Sequence, residues 1–409
     1  MRIILNNHLK VIFVISFLIL SIFSLPARSS EISGFIALEG RSFFSSPEAK
    51  RQHDNNAVSF VLEPEIYNQW ESSNRIYNTL TFKPFARFDT VDGERSHIDL
   101  RQLDWLFEGN EWELAAGVSK VYWGVVESRH LVDIINQTDA VEDVDQEDKL
   151  GQPMIQLGLL KEYGNFRFFY MPYFRERTFS GIKGRLNGGA VIDSDLSKFE
   201  SNGKNWHPDF AIRYDHNIDD LDFGISHFSG TSREATFLQL QNLDGETVLA
   251  PFYQKIEQTS LDIQLTTESW LWKLEAITRS GQDERFNAVS GGFEYSFFGI
   301  METDYDLGIL AEYHRDDRGE KAPTTIYDND IFIGTRLALN DVGDSALLAG
   351  VIIDTNNGNK GFSVEASRRF AERWKIEIDA RFYANAEQGS FENLIRRDDH
   401  IQLRIARYF

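Results

Sequence analysis

Six carboxylates crowd one polar stretch of the chain: Asp139, Glu142, Asp143, Asp145, Glu147 and Asp148. Such a run has three chemical uses. It can hold a hard cation through carboxylate oxygens, set a negative field across the path of a solute, or be an ordinary solvated loop. The regular D-x-D-x-D-G spacing of a calcium loop is absent, so cation binding is the weakest of the three. Strand-like alternation runs from Leu114 to Trp123 ahead of this stretch and resumes near Met154. Between them, Gly124 can end the strand and let the backbone turn. Asp133, Asn136 and Asp139 are short polar side chains suited to fixing a turn by bonding backbone groups. That structural role is favoured over ligand contact.

Nothing else in the chain assembles an active site. The nine histidines are scattered. No G-x-S-x-G elbow is present, and neither H-E-x-x-H nor cysteine occurs, so structural zinc has no support. His207 beside Asp209, and Asp215 beside His216, are the nearest things to dyads, and neighbouring strand residues face opposite ways. The expectation is a protein that is not an enzyme and carries no cofactor or metal.

The acids must be positioned by the rest of the chain, which has 409 residues and no cysteine. Arg2 and Lys10, an apolar run from Val11 to Leu25, and small residues at Ala27, Ser29 and Ser30 resemble a secretory signal over residues 1–29. The alternative is a retained N-terminal anchor, although the run falls short of the roughly 20 residues that a spanning helix needs. The remainder, 30–409, reads as a single domain. The chain holds 63 acidic against 42 basic residues, which disfavours nucleic acid as a partner. No later run is apolar and long enough for a membrane helix, yet 13% of residues are aromatic.

Strict alternation over about ten residues, followed by a turn, recurs along the whole chain. In Trp374 to Tyr383, Trp374, Ile376, Ile378, Ala380 and Phe382 oppose Lys375, Glu377, Asp379, Arg381 and Tyr383. A period of two gives one apolar and one charged face. A soluble sandwich would share that pattern. Two features favour a membrane barrel: aromatic residues cap the apolar faces (Trp374, Tyr214, Trp272), and short and long connections alternate. The count is eighteen antiparallel strands, with sixteen possible because 234–252 and 285–299 are ambiguous. Two of the expected strands span 111–124 and 165–178. Both chain ends then fall on the short-turn side, and the all-β sheet closes into a barrel wide enough for a water channel.

On this count the acidic stretch is the third long-side loop. Here the chain resembles bacterial general porins and related outer-membrane channels, whose third loop folds inward and narrows the barrel. By that resemblance, Asp139, Glu142, Asp143, Asp145, Glu147 and Asp148 would line a constriction. Lys83, Arg87, Arg101, Arg167, Arg175 and Arg177 would form a basic ladder opposite them. The open alternative is a loop that points outward, or one whose acids bind divalent ions bridging lipopolysaccharide. The wall also carries Glu275, Glu312, Glu365, Glu377 and Asp379, so no charge preference follows.

A narrower resemblance covers about 98–153. Gly109, Asn110, Trp112, Glu113, Leu114, Gly117, Trp123, Gly124, Asp133, Asn136 and Asp139 match a pattern in uncharacterised proteobacterial outer-membrane proteins. Ser119 and Gln137 depart from it. Trp123, Gly124, Asp133 and Asn136 would be the turn that aims the loop. The last residues, HIQLRIARYF, resemble the terminal strand read by the barrel-assembly machinery, with Phe409 as the signal and Arg407 as a departure. The resemblances imply a bacterial outer-membrane channel for small hydrophilic solutes. They imply lipid and lipopolysaccharide as surroundings, and a possible homo-oligomer. The alternative is a non-conducting barrel component of an envelope export or lipid-transport assembly.

Overall fold

The structure, a computed structural model, describes residues 30–72, 75–387 and 391–409. The signal segment 1–29 lies outside the described residues. Twenty-one strands occur among them, in chain order: β1 Ser30–Phe43, β2 Asn56–Glu71, β3 Tyr77–Asp89, β4 His97–Glu108, β5 Trp112–Ser119, β6 Gln152–Lys161, β7 Gly164–Met171, β8 Lys198–Phe199, β9 Asp209–Ile218, β10 Leu221–Thr231, β11 Thr236–Gln241, β12 Thr247–Tyr253, β13 Lys255–Thr267, β14 Trp270–Ser280, β15 Phe286–Phe297, β16 Asp306–Asp316, β17 Asn329–Ala338, β18 Ala346–Asp354, β19 Lys360–Phe370, β20 Trp374–Ala384 and β21 His400–Tyr408. Eighteen of them form one sheet. Each pairs antiparallel with the next, and β21 returns to β1 from Phe35↔Tyr408 to Phe43↔His400. The barrel is therefore closed, and none of its eighteen strands presents an unpaired edge.

Register sorts the faces. In β14, Trp272 is exposed while Glu275, Ile277 and Arg279 are buried. In β16, Ile309 and Tyr313 are exposed while Leu310, Glu312 and His314 are buried. The exposed face is the apolar one, so it faces lipid, and the buried face lines the interior. Trp270 stacks on Trp272 and meets Tyr295 edge-on at 4.6 Å, an aromatic cluster at the short-turn rim. Arg407 lies on the lipid-facing side of β21 with its guanidinium 6.0 Å from the Trp374 ring, so it can snorkel at that rim. This closed, externally apolar barrel has the architecture of bacterial outer-membrane proteins.

Three expectations about strands need correction. The strand placed at 111–124 ends at Ser119, because the backbone of 121–124 bonds to loop side chains instead of a neighbouring strand. The strand placed at 165–178 ends at Met171, which leaves Arg175 and Arg177 in the following connection. The ambiguous stretch 234–252 does form strands, β11 and β12, but they pair with each other and with β8 as a separate three-stranded sheet. That sheet packs Phe174, Ala235 and Tyr253 together.

Two local devices shape the wall beside the acidic loop. The pairing of β3 with β4 slips by one at Lys83/Pro84, from Lys83↔Gln102 to Pro84↔Leu100. Arg101 is the extra residue of this bulge, which turns its side chain inward. Gly117 has φ +144, and a Cβ there would overlap the Leu103 carbonyl of β4. Gly117→Ala is expected to cost about 1–3 kcal/mol of barrel stability from strain. Lower yield of folded barrel on refolding into detergent, read from heat-modifiable gel mobility, checks this.

Candidate functional site

Residues 120–151 leave β5 and return to β6. Their path begins with the aiming turn. The Asp133 carboxylate accepts from the backbone N–H groups of Trp123 (2.6 Å) and Gly124 (3.0 Å). Asn136 accepts from the Val121 N–H and donates to the carbonyls of Ser119 and Leu150, so one amide ties both roots of the segment. A Cβ on Gly124 would overlap the His130 ring. The Trp123 ring meets Phe169 edge-on at 5.6 Å and lies under the Arg213 guanidinium.

From there the segment reaches strands far across the barrel. Glu275 of β14 accepts from the N–H groups of Val125, Val126 and Val132 at 2.6–3.0 Å. Glu312 of β16 accepts from the N–H groups of Glu127 and Ser128 and from the Ser128 hydroxyl. Arg129 pairs with Asp316 at 2.7 Å, and Glu127 with Arg336 at 2.7 Å. The wall acids thus take up the backbone N–H groups that a non-regular segment cannot pair within itself.

An apolar core backs these bonds. Leu131, Val132, Ile134 and Ile135 pack with inward-facing Met154, Phe169, Met171, Phe228, Ile256, Ile277 and Phe286. Burying each such aliphatic side chain contributes roughly 1.5–3 kcal/mol. One side of the interior is therefore a packed core, where a wide barrel would otherwise hold water.

The acids lie on the returning half of the segment and divide by depth. Asp139 is fully buried, accepts from Thr178 Oγ1 at 2.6 Å and pairs with Arg101. Burial alone would raise its pKa, but His97 and Arg101 hold it well below the usual carboxylate range. Glu142 is buried and pairs with Arg87, whose other nitrogens reach Glu39 of β1. Arg95 donates to the carbonyls of Val141 and Glu142.

The remaining four acids are more open. Asp143 lies 3.7 Å from Arg41, and Asp145 lies 3.0 Å from Arg381. Enclosure by surrounding protein, then the adjacent Asp143, push the Asp145 carboxyl up although the residue is exposed. Glu147 stands 3.8 Å from His130, and the nearby imidazole holds its carboxyl below the usual range. Asp148 has an exposed side chain. Enclosure by surrounding protein still pushes it up to about 6, with Glu142 and Asp139 adding to the effect.

Of the six expected ladder cations, Arg87 and Arg101 meet the acids directly. Lys83 pairs instead with Glu63 and Glu65 of β2, and Arg167 with Glu113 and Asp215. Arg175 pairs with Asp99 and donates to the Gly151 carbonyl. Arg177 is past the strand end, and its backbone N–H donates to the Tyr253 hydroxyl. Arg41, Arg95 and Arg381 also hold the segment and are not among the cations expected from sequence, although Arg381 sits on the charged face that the alternation marks.

Ser128 and His314 come within 2.8 Å, a pairing with the look of a nucleophile and base. The Ser128 hydroxyl and N–H both serve Glu312, however, and the other ring nitrogen of His314 meets the Ser290 hydroxyl. No carboxylate orients the imidazole as a base–orienter pair requires. His207 lies 3.4 Å from Asp209, which is itself spent on Arg233 and the Thr231 N–H.

A gap of about 180 Å³ remains beyond the segment. It lies between residues 127–147 and the inward faces of β17 to β20, with Arg129, Asp145, Phe332, Leu348, Glu365 and Arg381 among its walls.

No family model matches the chain, and no curated protein matches it. Among solved structures, OmpT, an outer membrane protein of Vibrio cholerae in trimer form, is 7% identical, with a TM-score of 0.49. The match covers 93% of this chain and 99% of that one. An engineered variant of the Rh. blastica porin is 9% identical over 93% of this chain and 100% of its own, with a TM-score of 0.46. The chain is similar to these barrels at the level of overall form alone.

Proposed function

We propose that the protein is a porin-like channel of the bacterial outer membrane, passing small hydrophilic solutes by diffusion. Residues 120–151 narrow it. The observation that carries this reading is the crossing of the segment from β5 to Glu275 and Glu312, with a gap left against β17 to β20. Solutes pass through that gap, where Asp145 and Glu147 supply the negative side and Arg381 the positive; Asp148, exposed three residues on from Asp145, adds to the negative field from outside the gap's own wall. Asp139 and Glu142 sit deeper, and their ion pairs with Arg101 and Arg87 fasten the segment. Lipid surrounds the apolar band, and the terminal strand with Phe409 presents the barrel to its assembly machinery.

Purified, refolded protein in planar bilayers is expected to give discrete conductance steps with a preference for cations at pH 7.5. The Asp148 carboxyl, pushed up to about 6, is ionised there. Acidification through pH 6 neutralises it, so the cation preference, read as reversal potential in a salt gradient, falls between pH 7 and 5. Asp148→Asn removes that step. Folded protein without conductance steps would overturn the channel.

A second reading has its own support. The apolar core occupies one side of the interior, as suits a non-conducting barrel serving an export or lipid-transport assembly. The same bilayer recording separates the two.

A further inference from the structure

The gap beside β17 to β20 is built of chemistry that a passage for plain hydrophilic solutes does not need. Inward positions of an outer-membrane barrel are ordinarily polar. Here Phe332, Leu348 and Ile352, inward on adjacent strands, line the gap together with Val144 of the crossing segment. Glycines make room for them. A Cβ on Gly350 would overlap the Phe332 ring, and one on Gly334 would crowd it at 2.9 Å. The aromatic ring therefore lies over bare backbone, mostly buried, with its remaining edge toward the gap.

The charge around this apolar floor is unbalanced. Asp145, Glu147, Asp354 and Glu365 line the gap against three full cations, Arg129, Lys360 and Arg381, while Glu127, also at its edge, is held by Arg336. Two of those cations are already committed. Arg129 pairs with Asp316, while Arg381 is shared between Glu365 and Asp145. Asp145 thus has half of one guanidinium, and among the described residues the exposed Glu147 faces His130 at 3.8 Å as its one ion-pair partner. Water-exposed carboxylates beside an aromatic and aliphatic surface match one ligand class. A cation satisfies the acids, an apolar body covers the floor, and the ring face adds a cation–π attraction.

We propose that the gap between residues 127–147 and β17 to β20 is a binding subsite for amphipathic organic cations, an ammonium group carried on a small aryl or alkyl body. The ammonium sits at Asp145 and Glu147, and the body rests on Phe332, Leu348 and Ile352. This deepens the channel reading by giving it a solute class.

The test uses the full mature chain folded in detergent, with phenethylammonium as the probe and binding read by saturation-transfer NMR titration. The comparators are 3-phenylpropionate, which has a similar body with the opposite charge, and methylammonium, which has the charge without the body. Phenethylammonium is expected to bind at least about ten-fold tighter than either, a difference of about 1.4 kcal/mol. Phe332→Ala and the double variant Asp145→Asn/Glu147→Gln are each expected to weaken it several-fold. Equal binding of 3-phenylpropionate, or unchanged affinity in the double variant, overturns the proposal. The double variant changes only side chains open to the interior, so it still decides the question if Phe332→Ala fails to fold. In bilayers, phenethylammonium is expected to block the current. Binding without any conductance would sink the channel and leave the subsite, whereas conductance with unselective binding would do the reverse.

Discussion

Glu275→Ala is expected to free the crossing segment from the far wall, raising single-channel conductance several-fold and making the open current noisy. Glu275 is fully buried, and its two oxygens accept from three backbone N–H groups, those of Val125, Val126 and Val132. Removing the carboxylate orphans all three inside protein, at about 1–3 kcal/mol for each unsatisfied group. The segment has no regular hydrogen bonding of its own over 120–126, so those N–H groups find new partners only by moving into water. The apolar anchor of Leu131 to Ile135 stays, so the expected change is local release and not collapse of the barrel. Glu275→Gln keeps the shape and one acceptor oxygen, and a smaller effect is expected. Bilayer recordings of both variants beside the parent check this. A Glu275→Ala current that matches the parent in size and noise would show that the segment does not limit flow.

The second large effect concerns stability. Arg87→Ala is expected to lower the temperature of the heat-modifiable mobility shift by more than any other single charge removal on β1 to β4. The Arg87 guanidinium is buried between the carboxylates of Glu39 and Glu142, themselves buried. Removing one partner of a buried pair costs about 3–5 kcal/mol, chiefly because a charge is left stranded. Here two acids lose their closest partner: among the described residues Glu39 keeps Arg95 at 3.5 Å and Arg404 at 3.6 Å, and Glu142 keeps Arg101 at 3.7 Å and His97 at 3.8 Å. The double variant Arg87→Met/Glu142→Leu removes one of the stranded acids and is expected to recover much of the loss. If Arg87→Ala and the double variant melt alike, charge stranding is not what holds the segment to β1 and β3.

Much of the barrel is legible because its two faces meet different solvents. Trp374 to Tyr383 alternates since one side meets lipid and the other the interior, and both sides act on every residue. Alternation fails as a guide where the interior is also apolar. Phe168, Phe169, Tyr170 and Met171 run apolar without a break, since Phe168 and Tyr170 are exposed and Phe169 and Met171 are buried against the segment. That run, together with Leu131, Val132, Ile134 and Ile135 in a loop otherwise rich in acid, is the signal of a packed interior that the chain carries. The strand expected at 111–124 is too long for a related reason. Tyr122 and Trp123 keep the look of a strand, while the Asp133 carboxylate, ten residues downstream of Trp123, claims the backbone N–H groups.

The amino-acid sequence by itself carried the closed antiparallel barrel and its two faces, and led to eighteen strands with sixteen left open. Those follow from local pattern, because lipid imposes an apolar face and full backbone pairing on each strand separately. Only the tertiary structure decided which acids are buried and which are open, and which cations meet them. It also decided which wall is left uncovered. These depend on pairs such as Arg381 with Asp145 and Glu312 with Ser128, whose members lie far apart along the chain. Two carboxylates in one run, Glu142 and Glu147, look alike in sequence. One is locked against Arg87 and the other stands in open water, because barrel closure brings a guanidinium to the first and leaves a gap beside the second.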